Sequence, residues 1–292
     1  MTSPSRQQLL KTIAQLDQAL DNHEQWHKNI VRSLITRAAP DPADLEPDAH
    51  RHCRLGQWYG STETQPLRKH PAFLALGKAH EQMHALATSL LLKSAAQAVI
   101  EPDEIDDFSN ARDRLKLELQ SLRTELNEYI QNHDPLTGAR NRVNMLPDLR
   151  EQHSLVQRGV QQCAIAILDL DHFKEMNDRY GHLTGDAVLA SAVERLEALV
   201  RPYDRIYRYG GEEFLLCMPN TTVDIAVNLV ERLRAALEAN EVRTNNLSLR
   251  VTASFGVAAL DGTRTVEESI DKADKAMYLA KKRGRNRVEA ES

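Results

Sequence analysis

The spacing of apolar residues changes once along this chain, near Asp134, and that change limits the folds that the chain can adopt. Before Asp134 the apolar side chains recur at helical intervals, as in Leu10, Ile13 and Leu16, without the alternation typical of strands. After it, apolar strand-like segments such as QCAIAILDLD at 162–171 alternate with helical ones. The pattern predicts a two-domain α+β protein, with an all-α N-terminal helical bundle and a C-terminal α/β domain whose central sheet is covered by helices.

The elements of the two halves can be assigned from the same periodicity. We expect a hairpin of two strands around Gly210 and Gly211, and a capping box at Thr265 and Glu268 that starts the last helix. The other expected elements are helices near 71–100, 184–199, 223–239 and 266–283, and strands near 162–171, 249–260 and 286–290.

A helical segment joins the two halves. Its apolar residues follow one another at alternating steps of four and three, which is the spacing of a two-helix seam. The spacing favours a coiled-coil-like dimer linker, and a helix packed on its own domain is the alternative. The expected boundaries are 1–107 for the helical domain, 108–133 for the linker and 134–292 for the α/β domain. The seam residues are Leu115, Leu119, Leu122, Leu126 and Tyr129.

Composition and charge exclude several classes of protein. The formal net charge of −5 argues against a general nucleic-acid binder, which normally presents a basic face. No apolar run approaches the roughly 20 residues that cross a bilayer, and the N-terminus lacks the apolar stretch of a signal peptide. Three cysteines at distant positions do not make a disulfide framework. We therefore expect a cytoplasmic protein with no nucleic-acid partner and no membrane partner.

Two acidic clusters lie where strands are expected to end. Asp169 and Asp171 close an apolar strand, and Glu212 with Glu213 follows the Gly-Gly turn. Carboxylates in such a place hold Mg²⁺ against phosphates, and paired glycines let a backbone approach a phosphate closely. The basic run KKRGRNR at 281–287 supplies cations for a polyphosphate. A charged hairpin tip and a solvated basic segment are the alternative, but the occurrence of all three features together favours a metal–phosphate site.

These residues form a pattern that resembles the GGDEF family, the diguanylate cyclases. GGEEF at 210–214 resembles the family signature, and DPLTGARNR at 134–142 resembles its opening motif, with Ala139 in place of the usual leucine. The motifs DLDHFK at 169–174, GHLTGD at 181–186 and AKKRGRNR at 280–287 follow in the family's order. The resemblance implies an enzyme that condenses two GTP molecules into cyclic di-GMP and two pyrophosphates. It also implies a homodimer, because each site holds one GTP.

The resemblance implies site residues position by position. Asp169, Glu212 and Glu213 would be the catalytic acids, with Mg²⁺ held by Asp169, Glu212 and the backbone carbonyl of Leu170. Which glutamate takes the proton stays open. The implied substrate-binding residues are Asn177 and Asp186 for guanine, Phe173 and Lys174 for the phosphates through their backbone amides, Lys281 and Arg285 for phosphate charge, and His182, Gly210 and Gly211.

A further motif, Arg201-Pro-Tyr-Asp204, resembles the family's R-x-x-D site for inhibition by the product. An arginine can read the O6/N7 edge of guanine by a bidentate contact, which suits a guanine-containing product. A salt bridge within the loop is the alternative, because R-x-x-D is a common sequence. Arg232 is a candidate for the second half of that site.

The N-terminal half contains a different motif, HEQMH at 80–84, which matches the zinc-protease signature H-E-x-x-H. A protease also needs a third protein ligand and an open position for water, and no H-x-x-G-x-x-H extension follows His84. Cys53 is an available soft ligand, and His23 lies on the first helix. Three histidines and one cysteine would fill a tetrahedral site and leave no position for a catalytic water.

The pattern His23…Cys53-x-x-Gly-x-Trp…His80-x-x-x-His84 resembles the chemoreceptor zinc-binding (CZB) family. The resemblance implies that these three histidines and Cys53 bind a regulatory Zn²⁺, which inhibits the cyclase, while Mg²⁺ serves catalysis. Glu81 would then be a surface residue or a neighbour of the ligands. Two other functions stay open: a receptor for GTP or cyclic di-GMP with a degenerate catalytic domain, and a zinc hydrolase that uses Glu81.

Overall fold

The computed structural model of the protein describes residues 6–244 and 247–291. It divides into two compact units, one that ends at Ile130 and one that starts at Gln131. Among the described residues, no helix is both long and apolar enough to span a bilayer.

The N-terminal unit is all-helical, as the periodicity predicts. It contains α1 (Arg6–Thr36), α2 (Ala49–His52), α3 (Arg54–Gly60), α4 (Pro71–Ala95) and most of α5 (Pro102–Asn132), with 3-10 turns at Pro42–Leu45 and Thr62–Leu67.

Helix α5 starts at a proline and carries Asp103 and Glu104 in its first turn. Proline is favoured at this position because its missing N–H would have no partner in the helix, and acids there complement the helix dipole. Salt bridges tie α5 to the rest of the unit. They join Lys93 to Glu104 at 2.6 Å and Asp17 to Arg123 at 3.0 Å, and Nε2 of His70 lies 3.5 Å from Oε2 of Glu125.

The leucines of the predicted seam lie in the core of this unit. Leu115, Leu119, Leu122 and Leu126 are between 0 and 5% exposed, and they pack in one cluster with apolar residues of α1 and α4. Within one chain the spacing of four and three therefore describes the buried stripe of a helix on its own domain. A dimer linker at 108–133 stays a prediction, which these leucines do not by themselves support.

The C-terminal unit is a mixed sheet covered by helices, which confirms the predicted fold class. Its main sheet has the strand order β2-β3-β1-β6-β7, antiparallel except for the parallel pair β6–β7, and β4 with β5 forms a separate hairpin. The strands are β1 (Cys163–Leu170), β2 (Arg205–Arg208), β3 (Glu213–Pro219), β4 (Glu241–Thr244), β5 (Leu247–Arg250), β6 (Ala253–Ala259) and β7 (Val288–Ala290). The helices are α6 (Arg142–Gln157), α7 (Phe173–Tyr180), α8 (His182–Glu197), α9 (Val223–Ala239) and α10 (Val266–Lys282).

Strand β1 lies at the centre of the sheet, and every one of its residues is buried. One face packs with α8 and α9 and the other with α6 and α10, so the strand reads as a continuous apolar run. Helix α10 lies so close to β6 that a Cβ on Gly256 would overlap the backbone of Ala273 and Met277. This close packing positions the end of α10 beside the end of β1.

Four parts of the unit differ from the prediction or were missed by it, and one of them is strand β4, which was not predicted. The single strand expected at 249–260 is two strands in different sheets, because Thr252 leaves the strand to contact Asp171 through both its carbonyl and its hydroxyl. Helix α6, which contains Pro147, and the short helix α7 were not predicted. The last helix does begin at the predicted capping box of Thr265 and Glu268.

Candidate functional site

The two acidic clusters meet at the end of β1. Asp169 pairs with Glu213 in the β1–β3 register, and the backbone N–H of Leu170 donates to the carbonyl of Glu212 at 3.3 Å. The Nζ of Lys281, in the last turn of α10, lies 2.6 Å from Oδ2 of Asp169. The structure therefore brings together three predicted acids and one predicted cation.

The electrostatics of this cluster favour a divalent cation. Burial raises the pKa of Asp169, and Lys281 opposes that shift. Burial and then the charge of Asp169 raise the pKa of Glu213. Carboxylates of Asp169, Glu212 and Glu213 thus crowd together against a single lysine in a partly dehydrated place. Hard oxygen donors with an excess of negative charge are the donor set that suits Mg²⁺.

The glycine turn is shaped by hydrogen bonds within the hairpin. The backbone N–H groups of Tyr209 and Gly210 donate to the carbonyl of Glu213 at 2.8 and 3.1 Å. A Cβ on Gly210 would lie 2.5 Å from Oε2 of Glu213, so only glycine fits while that carboxylate stays in place. Glycine at 210 therefore leaves room for the carboxylate of a predicted catalytic acid.

An ion pair that sequence reasoning missed supports the same turn. Arg208 donates through Nη2 to the carbonyl of Gly211 and through Nη1 to Oδ1 of Asp134, both at 2.9 Å. The same carboxylate oxygen accepts hydrogen bonds from the backbone N–H and hydroxyl of Thr137. The DPLTG turn thus anchors the β2–β3 hairpin through Arg208, so the opening motif has a structural role.

Helix α7 presents an uncapped N-terminus next to the end of β1. His172, the residue before it, has a left-handed backbone (φ 56°) and caps no N–H with its side chain. The first N–H groups of a helix have no partner within it, so those of Phe173 and Lys174 are suited to an anion such as a phosphate. The Lys174 side chain is exposed, whereas the Phe173 ring is buried in the core.

The two predicted guanine contacts come together where α7 meets α8. The side chain of Asn177 lies against Gly185, and a Cβ there would overlap its Oδ1. Asp186 follows directly on α8, and His182 is exposed at the start of that helix. Oδ1 of Asn177 is buried without a hydrogen-bond partner in the described part of the chain. A buried orphan acceptor of this kind fits a ligand that brings N–H donors, as guanine does.

The R-x-x-D loop is held by its own backbone. Oδ2 of Asp204 accepts from the N–H of Arg201 at 2.9 Å, and the Asp204 N–H donates to the Arg201 carbonyl at 3.0 Å. Burial raises the pKa of Asp204. The guanidinium of Arg201 is exposed and lies 5.9 Å from the Tyr203 ring centroid. Arg232 is exposed on α9, and no contact in the described ranges joins it to Arg201 or Asp204.

The predicted zinc ligands form one cluster in the N-terminal unit. One ligand atom from each of His23, Cys53, His80 and His84 lies within 4.8 Å of the others. The Sγ of Cys53 is 3.2 Å from Nε2 of His80 and 3.8 Å from Nε2 of His23. Zinc bonds of about 2.1 Å to nitrogen and 2.3 Å to sulfur place tetrahedral ligands about 3.6 Å apart. The two Sγ–Nε2 distances lie on either side of that value, so the cluster suits Zn²⁺.

The surroundings of the cluster orient His23 and keep the other histidine ligands neutral. The Nδ1 of His23 lies 2.8 Å from the carbonyl of Ala19, which turns Nε2 towards Cys53. Both ring nitrogens of His84 are buried without a partner in the described part of the chain. Burial, followed by the neighbouring histidines, lowers the pKa of His80 to about 2 and that of His84 to about 3. These imidazoles are therefore neutral at physiological pH, as metal ligation requires.

Local structure explains the C-x-x-G-x-W pattern. Cys53 caps α3, since its Sγ accepts from the N–H of Gly56 at 3.3 Å. A Cβ on Gly56 would overlap the carbonyl of His50, so the corner between α2 and α3 requires glycine. Trp26 and Asp44, which were not predicted to belong to the site, lie beside the zinc-ligand cluster. The Trp26 ring lies 4.4 Å from His84, and its Nε1 donates to Asp44 at 2.8 Å.

Glu81, the glutamate of HEQMH, is exposed while His80 and His84 are buried. A protease glutamate has to activate a water molecule bound to the metal. Here the four clustered ligands fill the tetrahedron and the glutamate faces solvent. The geometry does not support a zinc hydrolase.

Each half of the chain matches the model of a known protein family. The model of the family "Diguanylate cyclase, GGDEF domain" matches residues 131–287. The chain belongs to the GGDEF family of diguanylate cyclases. The model of the "Chemoreceptor zinc-binding domain" matches residues 23–91, a range that includes all four clustered ligands. This second match implies that the N-terminal unit binds zinc.

Individual GGDEF proteins resemble the chain to different extents. Diguanylate cyclase DgcZ of Escherichia coli is 28% identical over 276 residues, which cover 93% of this chain and 91% of DgcZ. Diguanylate cyclase DgcP of Pseudomonas aeruginosa is 40% identical over 156 residues, which cover 53% of this chain but only 23% of DgcP. The GGDEF domain of DgcB from Caulobacter crescentus, solved in complex with c-di-GMP, is 30% identical with a TM-score of 0.52 and covers 55% of this chain and 95% of that one.

Proposed function

We propose that the protein condenses two GTP molecules into cyclic di-GMP and two pyrophosphates as a homodimer, and that Zn²⁺ in its N-terminal unit inhibits this reaction. The observation that carries the proposal is the cluster of Asp169, Glu212, Glu213 and Lys281 at the end of β1. Its acids and cation are all present, which argues against a degenerate domain that only binds nucleotide.

The residues divide into three groups by what they contact. Asn177 and Asp186 bind guanine, and Asp186 supplies the acceptor that guanine's N1–H and N2 donors need. The backbone amides of Phe173 and Lys174 bind the phosphates. The side chains of Lys281 and Arg285 neutralise phosphate charge, and Gly210, Gly211 and His182 line the same site.

Catalysis then rests on positioning and electrostatics. Asp169, Glu212 and the carbonyl of Leu170 hold Mg²⁺, which when bound stabilises the charge that develops on the phosphate. Glu213 lies beside the attacking 3′-hydroxyl, on the hairpin that Arg208 and Asp134 support.

The dimer follows from the chemistry of the product. Cyclic di-GMP contains two GMP units joined by two bonds, and each catalytic unit offers one set of guanine contacts. Two copies must therefore face each other with two-fold symmetry. The route by which zinc acts is α5, which is tied by salt bridges to the helical unit and whose last residue, Asn132, accepts a hydrogen bond from the N–H of Asn141 at 2.8 Å.

The reaction is tested by incubating the full-length protein with GTP and Mg²⁺ and separating the nucleotides by chromatography. We expect one cyclic di-GMP for every two pyrophosphates. Asp169→Asn should abolish the product, whereas Glu151→Gln, which changes an exposed acid on α6, should leave it unchanged. Wild-type protein that binds GTP but makes no cyclic di-GMP would point to the receptor function instead.

The zinc part is tested separately with a chelator. Zinc-free protein should turn over GTP faster than the zinc-loaded form, and Cys53→Ala should resemble the zinc-free form at any zinc concentration. Glu81→Gln is the matched control, since it changes the same motif without removing a ligand. If GTP turnover is the same for the zinc-loaded protein and for protein shown to be free of zinc, the proposed inhibition is refuted. The cyclase proposal would not be affected.

Product inhibition through Arg201, Asp204 and Arg232 is the third part. Added cyclic di-GMP should inhibit the wild type, and Arg201→Ala should escape that inhibition while keeping its initial rate. A variant that is inhibited as strongly as the wild type would contradict the role of Arg201.

A further inference from the structure

The basic segment that follows α10 has an unusual backbone. Gly284, Arg285 and Asn286 adopt positive φ angles in succession, at 111°, 60° and 46°. Glycine tolerates this region and asparagine is found there more often than most residues, but an arginine is disfavoured because of its Cβ. Such a conformation persists only where the surrounding structure holds it in place. Arg285 is the residue whose side chain is predicted to meet phosphate.

A buried carboxylate holds this segment. Oδ2 of Asp171 accepts a hydrogen bond from the backbone N–H of Asn286 at 3.0 Å and another from the hydroxyl of Thr252 at 2.7 Å. Its Oδ1 accepts from the hydroxyl of Ser254 at 2.7 Å, and its own N–H donates to the carbonyl of Thr252 at 2.8 Å. Asp171 is 7% exposed, and no lysine or arginine in the described ranges pairs with it. Hydrogen bonds to a carboxylate are stronger than those to a neutral acceptor, so these bonds hold the segment firmly.

The same segment is held from its other side by α9. Oδ1 of Asn286 accepts from Arg234 at 2.7 Å, and its Nδ2 donates to Glu238 at 2.9 Å. The N–H of Arg285 donates to the carbonyl of Ala280 at 3.0 Å. The guanidinium of Arg285, in contrast, is exposed and has no acceptor within reach in the described part of the chain. The backbone of this arginine is fixed while its charged group is left free for a ligand.

We propose that Asp171 is a positioning residue for the cyclase reaction and that it acts through Arg285. Asp171 lies two residues after Asp169 and binds the backbone next to Arg285, so it links the metal-binding end of β1 to the cation that meets phosphate. This inference rests on the proposed function, because it assigns the phosphate of GTP as the group that Arg285 binds. The proposal gives Asp171 no contact with substrate or metal, because three of the roughly four acceptor positions of its carboxylate are taken by the fold.

The test is a double-mutant cycle on zinc-free, full-length protein. Asp171→Asn keeps the shape of the side chain but replaces one acceptor oxygen by an amide that cannot accept. Losing a hydrogen bond to a charged group predicts about a tenfold to hundredfold rise in KM for GTP. Because Arg285 contacts phosphate in the ground state as well as in the transition state, kcat should fall much less than KM rises. Calorimetry with a non-hydrolysable GTP analogue should show the same loss of affinity.

Arg285→Ala should raise KM by a similar factor. The double variant should be no worse than Arg285→Ala alone, because residues that act through one another are not additive. The proposal would be overturned if the KM of the double variant rose by the product of the two single-variant factors. It would also be overturned if Asp171→Asn lowered the melting temperature but left binding of the GTP analogue unchanged. If Asp171→Asn fails to fold, Thr252→Val removes one donor from the carboxylate, and a smaller shift in KM that also vanishes in the Arg285→Ala background is expected.

Asn286→Gly is the matched control. It keeps the N–H that Asp171 binds, suits the positive φ and removes only the contacts to Arg234 and Glu238. Near wild-type KM is expected, and a loss as large as that of Asp171→Asn would assign the positioning to α9 instead. If the wild type forms no cyclic di-GMP, the proposed reaction is refuted. This inference would still hold if the effects of the two substitutions on analogue affinity remained non-additive.

Discussion

Replacing Gly185 with alanine should weaken GTP binding without touching the acids or cations of the phosphate site. The new Cβ would overlap Oδ1 of Asn177 and lie 3.2 Å from Cζ of Phe173. Phe173 is held in the core, whereas the amide of Asn177 can rotate away. We therefore expect Asn177 to move and its contact with guanine to be lost.

The magnitude follows from the cost of one hydrogen bond. Leaving a buried polar group without its partner costs about 1–3 kcal/mol, which is about 5- to 150-fold in affinity. Alanine in a helix is otherwise favoured over glycine by about 0.5–1 kcal/mol. The fold is therefore expected to keep its melting temperature to within a few degrees, while the KM for GTP rises.

The assay is initial-rate pyrophosphate release against GTP concentration, combined with thermal melting. Discrimination between GTP and ATP should fall by the same factor, because the proposed role of Asn177 is to contact the base and not the phosphates. Gly60→Ala is the matched control, since nothing lies within 4 Å of its new Cβ. An unchanged KM for GTP would refute the reasoning. A large drop in melting temperature with unchanged KM would show that the helices separate instead of Asn177 moving.

Three further predictions concern other parts of the chain. Gly56→Ala should push the new Cβ into the carbonyl of His50, displace Cys53 and lower the affinity for zinc although no ligand is removed, as measured by competition with a chromophoric chelator. Asp204→Asn should raise the free energy of unfolding at neutral pH, because burial raises the carboxyl pKa in the folded state and its charged form therefore destabilises the fold. That gain should shrink as pH falls through the folded-state pKa, and chemical denaturation at several pH values measures it. Thr265→Ala should remove the capping box of α10 and cost about 1 kcal/mol of stability, with Lys281 at the far end of the helix keeping its contact to Asp169.

Local patterns predicted the elements that depend on neighbouring residues. The capping box at Thr265 and the glycine hairpin at Gly210 were predicted correctly because their hydrogen bonds are made within a few residues. The break at Thr252 was missed, because it depends on a bond to Asp171, 81 residues away in sequence. The pair of Arg208 and Asp134 was missed for the same reason, at a separation of 74 residues.

The leucine stripe of α5 shows a second limit of prediction from sequence. A helix that buries one stripe on its own domain and a helix that pairs with a second copy both place leucines at steps of four and three. Leu119 and Leu122 satisfy either pattern, and only the presence of apolar faces on α1 and α4 tells which surface covers them. Periodicity therefore predicts that a face is buried but does not identify what covers it.

The two sites of the chain differ in a way that bears on how one controls the other. The zinc cluster takes all its ligand atoms from one unit and buries its histidines, so the site is complete in a single copy of the chain. In the proposed reaction each copy of the cyclase unit binds one GTP, whereas the product contains two GMP units. Under the proposed function zinc acts on turnover by changing how two copies of the catalytic unit meet, and not by taking part in the chemistry. For this reason zinc should change kcat in the full-length protein while leaving the affinity of each half-site for a non-hydrolysable GTP analogue unchanged.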